Sequence, residues 1–577
     1  MGGAAIPASL AGWLDRIGLF SGNNDTYFVF GNPHTDSCPR AGARASRVGN
    51  NKMHSKRNNL WRARWLALAL AVGPGAVLAQ SAQGRVAPGV PVDTALALSR
   101  GEFVAGQWEA APGVAIDLLD ADGRHLRRLS DAERPAGGLM LVAPADGRYT
   151  VRASGQGAYR WTLSQRVPLE AQHAPAPAID SPRLAALAHE LTQGGNTEAF
   201  WRDMAARGTP LVEPVDATHD RVTFLWRGAE RNVRLFGGPG HDHTMLMRLG
   251  ASDVWYASFV LPRSTRLSYK LAPDVPELPG PDVARRRAIL ATAQADPLNP
   301  KPYPARGVDA FQYASVLELA DAPPEPWVAP RAGVTPGTVE TRPITSAILG
   351  NTRDIQLYRP AGWRPGGADN HVLVLFDAGP YLNRVPTPII LDNMIAAGVI
   401  PPTAALLISN PTAESRGLEL PPNPDFADFL ARELMPWAAR QGIAAPAART
   451  VIGGSSYGGL ASSYAALRHP EVFGNVLSQS GSYWWGQPGG EDQWLTRQYA
   501  AVRRLPIRFY LVAGQFETGR AGQPGIFETN RHLRDVLQAK GYVVTHREVA
   551  GGHDYLSWRG TLSNGLIDLI GAGAPAR

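Results

Sequence analysis

The sequence predicts an α/β protein, with a C-terminal α/β-hydrolase domain preceded by two all-β, sandwich-like domains. Three observations support this prediction. Strand and helix patterns alternate over residues 331–577, which is typical of a mostly parallel sheet covered on both faces. Short strand-like segments fill residues 80–177 and 178–330. A glycine-flanked serine lies between a strand pattern and a helix pattern in residues 450–467.

The apolar pattern places the individual elements. In the last domain it predicts strands at residues 353–358, 372–376, 404–409, 451–453, 475–479, 508–512 and 543–548. The helices there are predicted at residues 426–440, 460–468, 530–540 and 562–570. The earlier domains are predicted to have strands at residues 115–119, 139–143, 148–153, 159–163, 221–226, 232–236, 253–261 and 266–271, and a helix that opens at Pro182.

The glycine-flanked serine is Ser456, in a segment that matches G-x-S-x-G between Gly454 and Gly458. Between a strand and a helix, this pattern predicts a nucleophile elbow. Small residues recur by chance in a chain with 61 glycines, so an ordinary strand-to-helix turn is the alternative. The order of the later residues favours the elbow, because Glu517 and then His553 each follow an apolar strand. We therefore expect Ser456 as nucleophile, His553 as base and Glu517 as the orienting acid.

The tetrahedral intermediate of such a site needs two N–H donors for its negative oxygen. One is expected from the backbone of Tyr457, directly after the nucleophile, and the other from the loop after strand 372–376, at Ala378. Ser455 and Asp554 are the neighbours most easily mistaken for the nucleophile and the acid. His469, at the end of a predicted helix and before a proline, is expected to be structural.

The charge of the chain does not indicate a nucleic-acid partner. The formal net charge is +7, but residues 1–79 alone contain nine Lys or Arg against three acids. In that part, residues 53–79 combine basic residues, an apolar run and a small-residue end, which predicts a signal peptide cleaved near Ala79. A retained anchor is the alternative. Residues 1–52 are then an over-extended start or leader, and the mature protein is expected in the periplasm or secreted.

Metal and cofactor chemistry is not expected. The only cysteine, Cys38, precedes the predicted cleavage site, so the mature chain has no thiolate ligand and no disulfide. His241 and His243 flank Asp242 on a glycine-rich loop and resemble a metal pair, but no third ligand lies at a zinc-like spacing.

Several stretches resemble the enterochelin esterase family. They are the segment VTFLWRG at residues 222–228, the runs at 253–256, 296–300 and 415–420, the segment LSQSGSYWW at 477–485, and Gly551-Gly552-His553-Asp554 with Trp558. The resemblance covers the chain from about Pro182 onward. The family usually has glycine where this chain has Ala378, which leaves the second N–H donor open. Residues 80–177 weakly resemble the prepeptidase C-terminal type of module.

The resemblance implies an exported serine esterase that hydrolyses the trilactone of enterobactin-like siderophores to release iron, without a cofactor. The expected substrate is a catecholate siderophore with or without iron. Its ferric form is anionic and broad, so Arg416 is expected to supply a cation and Trp484 and Trp485 flat walls. Core packing is the alternative for both tryptophans. A general carboxylesterase, such as a feruloyl or polysaccharide-ester esterase, and a non-catalytic siderophore-binding or glycan-binding module remain alternatives. No nucleic acid and no stable membrane anchor are expected.

Overall fold

The computed structural model of this protein describes residues 80–130, 135–172, 179–240, 243–279, 288–305, 307–519 and 522–572. The predicted leader with Cys38, the predicted signal peptide, and the residues His241 and Asp242 lie outside these ranges. The chain divides into two compact units, one with the described residues up to 172 and the other with those from Ile179 onward.

The first unit is a β-sandwich. Its strands are β1 (Ser81–Val86), β2 (Val92–Leu98), β3 (Phe103–Ala110), β4 (Ala115–Leu119), β5 (His125–Arg128), β6 (Ala136–Val142), β7 (Gly147–Ser154) and β8 (Gly157–Val167). They form two antiparallel sheets in the orders β1-β8-β3-β6 and β2-β7-β4-β5. Both sheets contribute to one core, which includes Trp108 and Trp161 from the first and Ile116 and Tyr149 from the second.

The second unit opens with two helices and a second β-sandwich. The helices are α1 (Pro182–Thr192) and α2 (Glu198–Arg207). Helix α1 begins as predicted, with Pro182 in its first turn and the Ser181 hydroxyl accepting from the Leu184 N–H. The strands are β9 (Leu211–Pro214), β10 (His219–Arg227), β11 (Val233–Gly237), β12 (Thr244–Met245), β13 (Met247–Arg248), β14 (Val254–Pro262), β15 (Arg266–Pro273), β16 (Pro302–Tyr303) and β17 (Ala314–Glu318). They form sheets in the orders β13-β14-β10-β9 and β12-β11-β15-β17-β16.

An eight-stranded sheet forms the centre of the remaining domain. Its strands are β18 (Thr338–Ser346), β19 (Asn351–Arg359), β20 (His371–Leu375), β21 (Thr403–Ile408), β22 (Thr450–Ser455), β23 (Asn475–Gln479), β24 (Arg508–Gly514) and β25 (Val543–Val549). The order is β18-β19-β21-β20-β22-β23-β24-β25. Strand β19 pairs antiparallel with both β18 and β21, whereas all pairs from β21 to β25 are parallel.

Helices cover both faces of this sheet. They are α3 (Ala378–Asn383), α4 (Thr387–Ala396), α5 (Ala413–Glu419), α6 (Pro424–Asp428), α7 (Met435–Arg440), α8 (Tyr457–Arg468), α9 (Trp494–Ala501), α10 (Ile526–Ala539) and α11 (Tyr555–Ile570). Because successive strand residues point to opposite faces, Ile452 and Val476 belong to one core cluster, and Val451 and Leu477 to the other. This arrangement confirms the predicted fold class, an α/β-hydrolase domain after two all-β domains.

The helix predicted at residues 426–440 is present, but it is not α-helical throughout. The structure has α6, a π-helical turn at Phe429–Leu434, and then α7, which holds Pro436 near its start. A proline has no N–H for the helical ladder, and its ring collides with the carbonyl four residues earlier. A wider turn before the proline accommodates this defect.

Candidate active site

Ser456 lies in the sharp turn between β22 and α8. Its backbone has φ 58° and ψ −122°, a conformation that L-residues adopt only under local constraint. The Ser456 N–H donates to the Gln479 carbonyl at 2.9 Å, which fixes the turn against the end of β23. A side chain at Gly454 would place its Cβ 3.0 Å from the carbonyl carbon of Gly458. The two glycines therefore allow strand and helix to meet at this serine.

The Ser456 side chain is nearly covered, with 2% of the residue exposed. Its Oγ lies 3.3 Å from the Oγ of Ser482, and the Ser482 N–H donates to the Ser456 carbonyl at 3.1 Å. Ser455, in contrast, is the last residue of β22 and belongs to the regular strand. The strained position in the turn is thus that of Ser456.

Glu517 and His553 are in contact. The His553 Nδ1 lies 2.5 Å from the Glu517 Oε1. The other carboxylate oxygen, Oε2, accepts from the Gly514 N–H at 2.6 Å and from the Ser480 Oγ–H at 2.7 Å. Hydrogen bonds on both oxygens leave the buried carboxylate one orientation, with Oε1 directed at the imidazole.

Ser480 was not expected from the sequence, although it lies in the LSQSGSYWW segment. The Trp558 Nε1–H, which can only donate, is 3.0 Å from the Ser480 Oγ. The Ser480 hydroxyl must then accept from the indole and donate to Glu517, so the direction of both hydrogen bonds is fixed. The Trp558 ring also stands edge-on to the His553 ring, with centroids 4.9 Å apart. Ser480 and Trp558 therefore support the acid and the histidine together.

The serine of the turn, the glutamate, the histidine and Ser480 each follow one of four neighbouring parallel strands. Ser456 comes after β22, Ser480 after β23, Glu517 after β24 and His553 after β25. Because the carboxyl ends of parallel strands lie at the same edge of a sheet, these loops share one side of the domain. The topology thus gathers three predicted residues that are distant in the sequence.

Tyr457 and Ala378 occupy equivalent local positions. Each is the first residue of a helix, Tyr457 of α8 and Ala378 of α3. The first N–H groups of a helix have no acceptor within that helix, and they carry the positive end of the helix dipole. Burial raises the pKa of the Tyr457 phenol to about 12, so this side chain stays neutral at physiological pH.

Arg416 is buried and paired with an acid. Its Nε lies 2.5 Å from Oδ1 of Asp377 and its second terminal nitrogen 2.7 Å from Oδ2, with 6% and 7% of the two side chains exposed. Asp377 has a left-handed backbone, with φ 55°, and directly precedes Ala378. The guanidinium thus contacts the residue that precedes α3, whereas the sequence predicted a contact with the substrate.

The two tryptophans of the predicted binding site have different surroundings. Trp484 is partly exposed, and its ring centroid lies 6.1 Å from that of Tyr457. Trp485 is buried and packs edge-on against Trp494, with centroids 6.1 Å apart. The surroundings of Trp485 favour its alternative, core packing, whereas Trp484 borders the turn of Ser456.

Two other histidines considered from the sequence, His469 and His243, have structural surroundings. His469 is buried and hydrogen-bonded to Asp428 at 2.8 Å and Glu471 at 3.0 Å. His243 stacks on Phe236, with ring centroids 5.1 Å apart. Within the described ranges no group of three or more His, Cys, Asp or Glu side chains could hold a metal ion. No helix there is long and apolar enough to span a membrane.

Comparison with known proteins gives two family matches in the second unit. The family model described as enterochelin esterase, N-terminal, matches residues 221–328, and the Esterase model matches residues 346–569. The iron(III) enterobactin esterase of Dickeya dadantii is 31% identical over 427 residues, covering 65% of this chain and 93% of the relative. That of Escherichia coli is 33% identical over 400 residues, covering 65% and 96%.

The chain belongs to the enterobactin esterase family. A solved member, the enterobactin esterase of Shigella flexneri in the presence of 2,3-dihydroxy-N-benzoyl-serine, is 32% identical, with a TM-score of 0.51, covering 64% of this chain and 98% of that chain. Like other members of this family, the chain is an ester hydrolase. Both family matches begin after the first unit, so the sandwich of β1 to β8 lies outside them.

Proposed function

We propose that this protein hydrolyses the ester bonds of an enterobactin-like catecholate siderophore and so releases its iron. The relatives named as enterobactin esterases support the substrate class. The observation that carries the chemistry is the hydrogen bond between Glu517 and His553, on the same side of the sheet as the strained turn of Ser456. A neutral serine hydroxyl needs such a base and acid to become a nucleophile.

In the proposed mechanism, the Ser456 Oγ attacks the ester carbonyl while the His553 Nε2 takes the hydroxyl proton. Glu517 holds the Nδ1–H and stabilises the imidazolium that forms. His553 then gives the proton to the ester oxygen of the leaving group as its bond to the carbonyl carbon breaks, so an alcohol departs and an acyl group stays on Ser456. Water, deprotonated by His553, releases the acid in a second, equivalent step.

We assign the stabilisation of the negative oxygen to the backbone N–H groups of Tyr457 and Ala378. Both belong to the first turn of a helix, where the dipole favours negative charge. Arg416 contributes through Asp377, because this ion pair holds the left-handed residue that precedes Ala378. Loss of one such donor typically lowers kcat by about 10²-fold to 10³-fold.

We place the aromatic part of the substrate against Trp484, which is partly exposed beside Tyr457. A flat indole suits a catechol ring, since aromatic pairs contribute about 0.5–1.5 kcal/mol beyond their buried area. In this proposal Trp485 supports Trp484 from the core instead of contacting the substrate.

We also propose that residues 53–79 direct export and are cleaved near Ala79, which places the enzyme in the periplasm or outside the cell. The basic residues, apolar run and small-residue end of this segment support the proposal. Mass spectrometry of the mature N-terminus after cell fractionation tests it. A mature N-terminus at Met53 or upstream of it would contradict it.

The variant Ser456→Ala tests the proposed chemistry. We expect it to lose hydrolysis of ferric enterobactin and labelling by a fluorophosphonate probe, with an unchanged circular dichroism spectrum. Ser455→Ala is the matched control, since it removes the neighbouring hydroxyl from a regular strand, and it should retain labelling. Activity that persists in purified Ser456→Ala would refute the mechanism.

Substrate comparison tests the siderophore assignment. We expect faster turnover of enterobactin than of a feruloylated sugar ester, with products identified by mass spectrometry. The reverse preference would identify a general carboxylesterase. Tight siderophore binding without labelling of Ser456 would identify a binding protein.

A further inference from the structure

The β domain of the second unit has an incomplete sheet edge. Strand β11 pairs with β15 only as far as Gly237, which lies opposite Tyr269. On the other side, β17 continues to pair with β15 as far as Arg266. The stretch of β15 from Arg266 to Ser268 therefore has a neighbouring strand on one side only, and its outward N–H groups need other acceptors.

The loop that carries His553 supplies these acceptors. The Arg266 N–H donates to the Ala550 carbonyl at 3.1 Å, and the Ser268 N–H donates to the Asp554 Oδ2 at 3.2 Å. The two hydrogen bonds lie on either side of His553 in the sequence. The histidine loop thus lies beside β15 where β11 no longer pairs with it.

Asp554 joins three elements at this point. Its Oδ1 accepts from the Ser557 N–H at 3.0 Å and caps α11, while its Oδ2 holds β15. A second link runs parallel to it, because Glu325 is ion-paired with Arg559 of α11 and lies 3.5 Å from Arg266. The start of α11 is therefore linked to β15 twice, through Asp554 before the helix and through Arg559 and Glu325 after its first turn.

The loop also lies directly on the backbone of the β domain. A Cβ at Gly551 would be 3.2 Å from the Arg266 carbonyl oxygen and 2.6 Å from the Ser557 Oγ. A Cβ at Gly552 would be 3.5 Å from the Gly238 carbonyl oxygen. A side chain at Gly551 would therefore collide with Ser557, whereas one at Gly552 would make an ordinary contact.

From these contacts we propose that Asp554 is a positioning residue, which fixes the His553 loop on the open edge of β15 so that the β domain sets the position of the base. This inference rests on the proposed function of Ser456 and His553. A base on a loop works only when it is held near its productive geometry, and a misplacement of about 1 Å can cost about 10²-fold in rate.

Two variants separate the contacts of Asp554. Asp554→Asn keeps the side-chain shape but has one acceptor oxygen for two N–H donors. Ser268→Pro removes the N–H donor of β15 and leaves the cap of α11 intact. Ser181→Ala is the matched control, because it removes the cap of α1, which lies elsewhere in the same β domain.

We would measure kcat and KM with p-nitrophenyl butyrate and with enterobactin, and the low-field NMR signal of the His553 Nδ1 proton. For both test variants we expect kcat to fall about 10²-fold, KM to change less than twofold, and the proton signal to shift or broaden. Ser181→Ala should keep kcat within twofold. Circular dichroism checks that each variant is folded.

The proposal is overturned if folded Asp554→Asn and Ser268→Pro keep kcat within twofold, or if KM alone changes. It is also overturned if kcat falls while the proton signal stays unchanged. Ser456→Ala, measured alongside, separates this failure from that of the proposed function. Hydrolysis by Ser456→Ala refutes the serine mechanism, whereas an inactive Ser456→Ala beside a fully active Asp554→Asn refutes only the positioning.

Discussion

The chain contains two β-sandwiches, and they differ in the contacts that their strands make. In the first unit, the ion pair Arg152–Asp93 joins β7 to β2, and Arg166 of β8 pairs with Glu102 directly before β3. In the second, the edge of β15 binds the loop of a candidate catalytic histidine. Both are two-layer antiparallel folds with their own cores. The architecture of a β domain therefore does not decide whether the domain supports the chemistry.

The largest effect is expected from the core of the first sandwich. Trp161→Ala removes a buried ring that lies opposite Trp108 and should destabilise this unit by about 3–5 kcal/mol. Urea denaturation followed by tryptophan fluorescence measures the loss, with the exposed Leu126→Ala as control. Esterase activity should stay within twofold under native conditions. A loss of activity in the folded variant would show that the first sandwich also supports the active site.

A loss of stability in the second β-sandwich should, in contrast, lower the activity as well. Glu325→Gln leaves Arg559 and Arg266 without their shared carboxylate, and removal of one partner from a buried pair costs about 3 kcal/mol. We expect lower stability together with a lower kcat. Glu318→Gln is the matched control, because Glu318 also pairs with Arg266 but is more exposed, so its loss should cost about 1 kcal/mol or less. Unchanged kcat in folded Glu325→Gln would argue against a supporting function.

A smaller effect is expected from the titration of Asp554. Burial raises its pKa from 3.8 to about 6, with a further contribution from Glu517, although N–H donors that include Ser268 and Ser557 oppose the shift. The folded chain therefore binds this proton more tightly than the unfolded chain, and stability must rise as the pH falls through 6. Between pH 7 and pH 5 the wild type should gain about 1 kcal/mol relative to Asp554→Asn. Equal pH dependence in urea titrations would contradict the shift.

The smallest effect is expected from removal of the first sandwich. Because the second unit is compact by itself and includes both family matches, a chain without residues 80–178 should keep kcat/KM within twofold on p-nitrophenyl butyrate. Steady-state kinetics of the two purified forms measures this. A tenfold loss would show that the first sandwich acts on the site.

The elements with the clearest apolar runs could be predicted from the sequence. Strand β23 at Asn475–Gln479 and strand β4 at Ala115–Leu119 coincide with the predictions, because each is a short run with a turn signal or polar residues beside it. Strand β18 was missed, since it is an edge strand whose residues are mostly exposed and carry little apolar pattern. Short helices such as α3 were missed for a related reason, because one turn and a half gives no helical period.

The candidate site also contains residues that a local sequence pattern predicts and contacts that it does not. The sequence indicated Ser456, Glu517 and His553 because each lies in a local strand-and-loop pattern. The partner of Arg416 could not be predicted from a local pattern, because Asp377 is 39 residues away. The two residues meet only when α5 and the loop after β20 pack together. Ser480 is 37 residues from Glu517, and its contact likewise depends on the neighbouring positions of β23 and β24. Contacts between loops on adjacent strands follow from topology, which a single local pattern does not contain.

The open edge of β15 affects how the protein folds while it is synthesised on the ribosome. Residues 266–268 emerge long before residues 550–554, which cover them. During synthesis the nascent β domain therefore presents unpaired main-chain donors, a known route to intermolecular strand pairing. Premature termination anywhere before the histidine loop should consequently yield aggregating fragments, even where the β domain itself is complete.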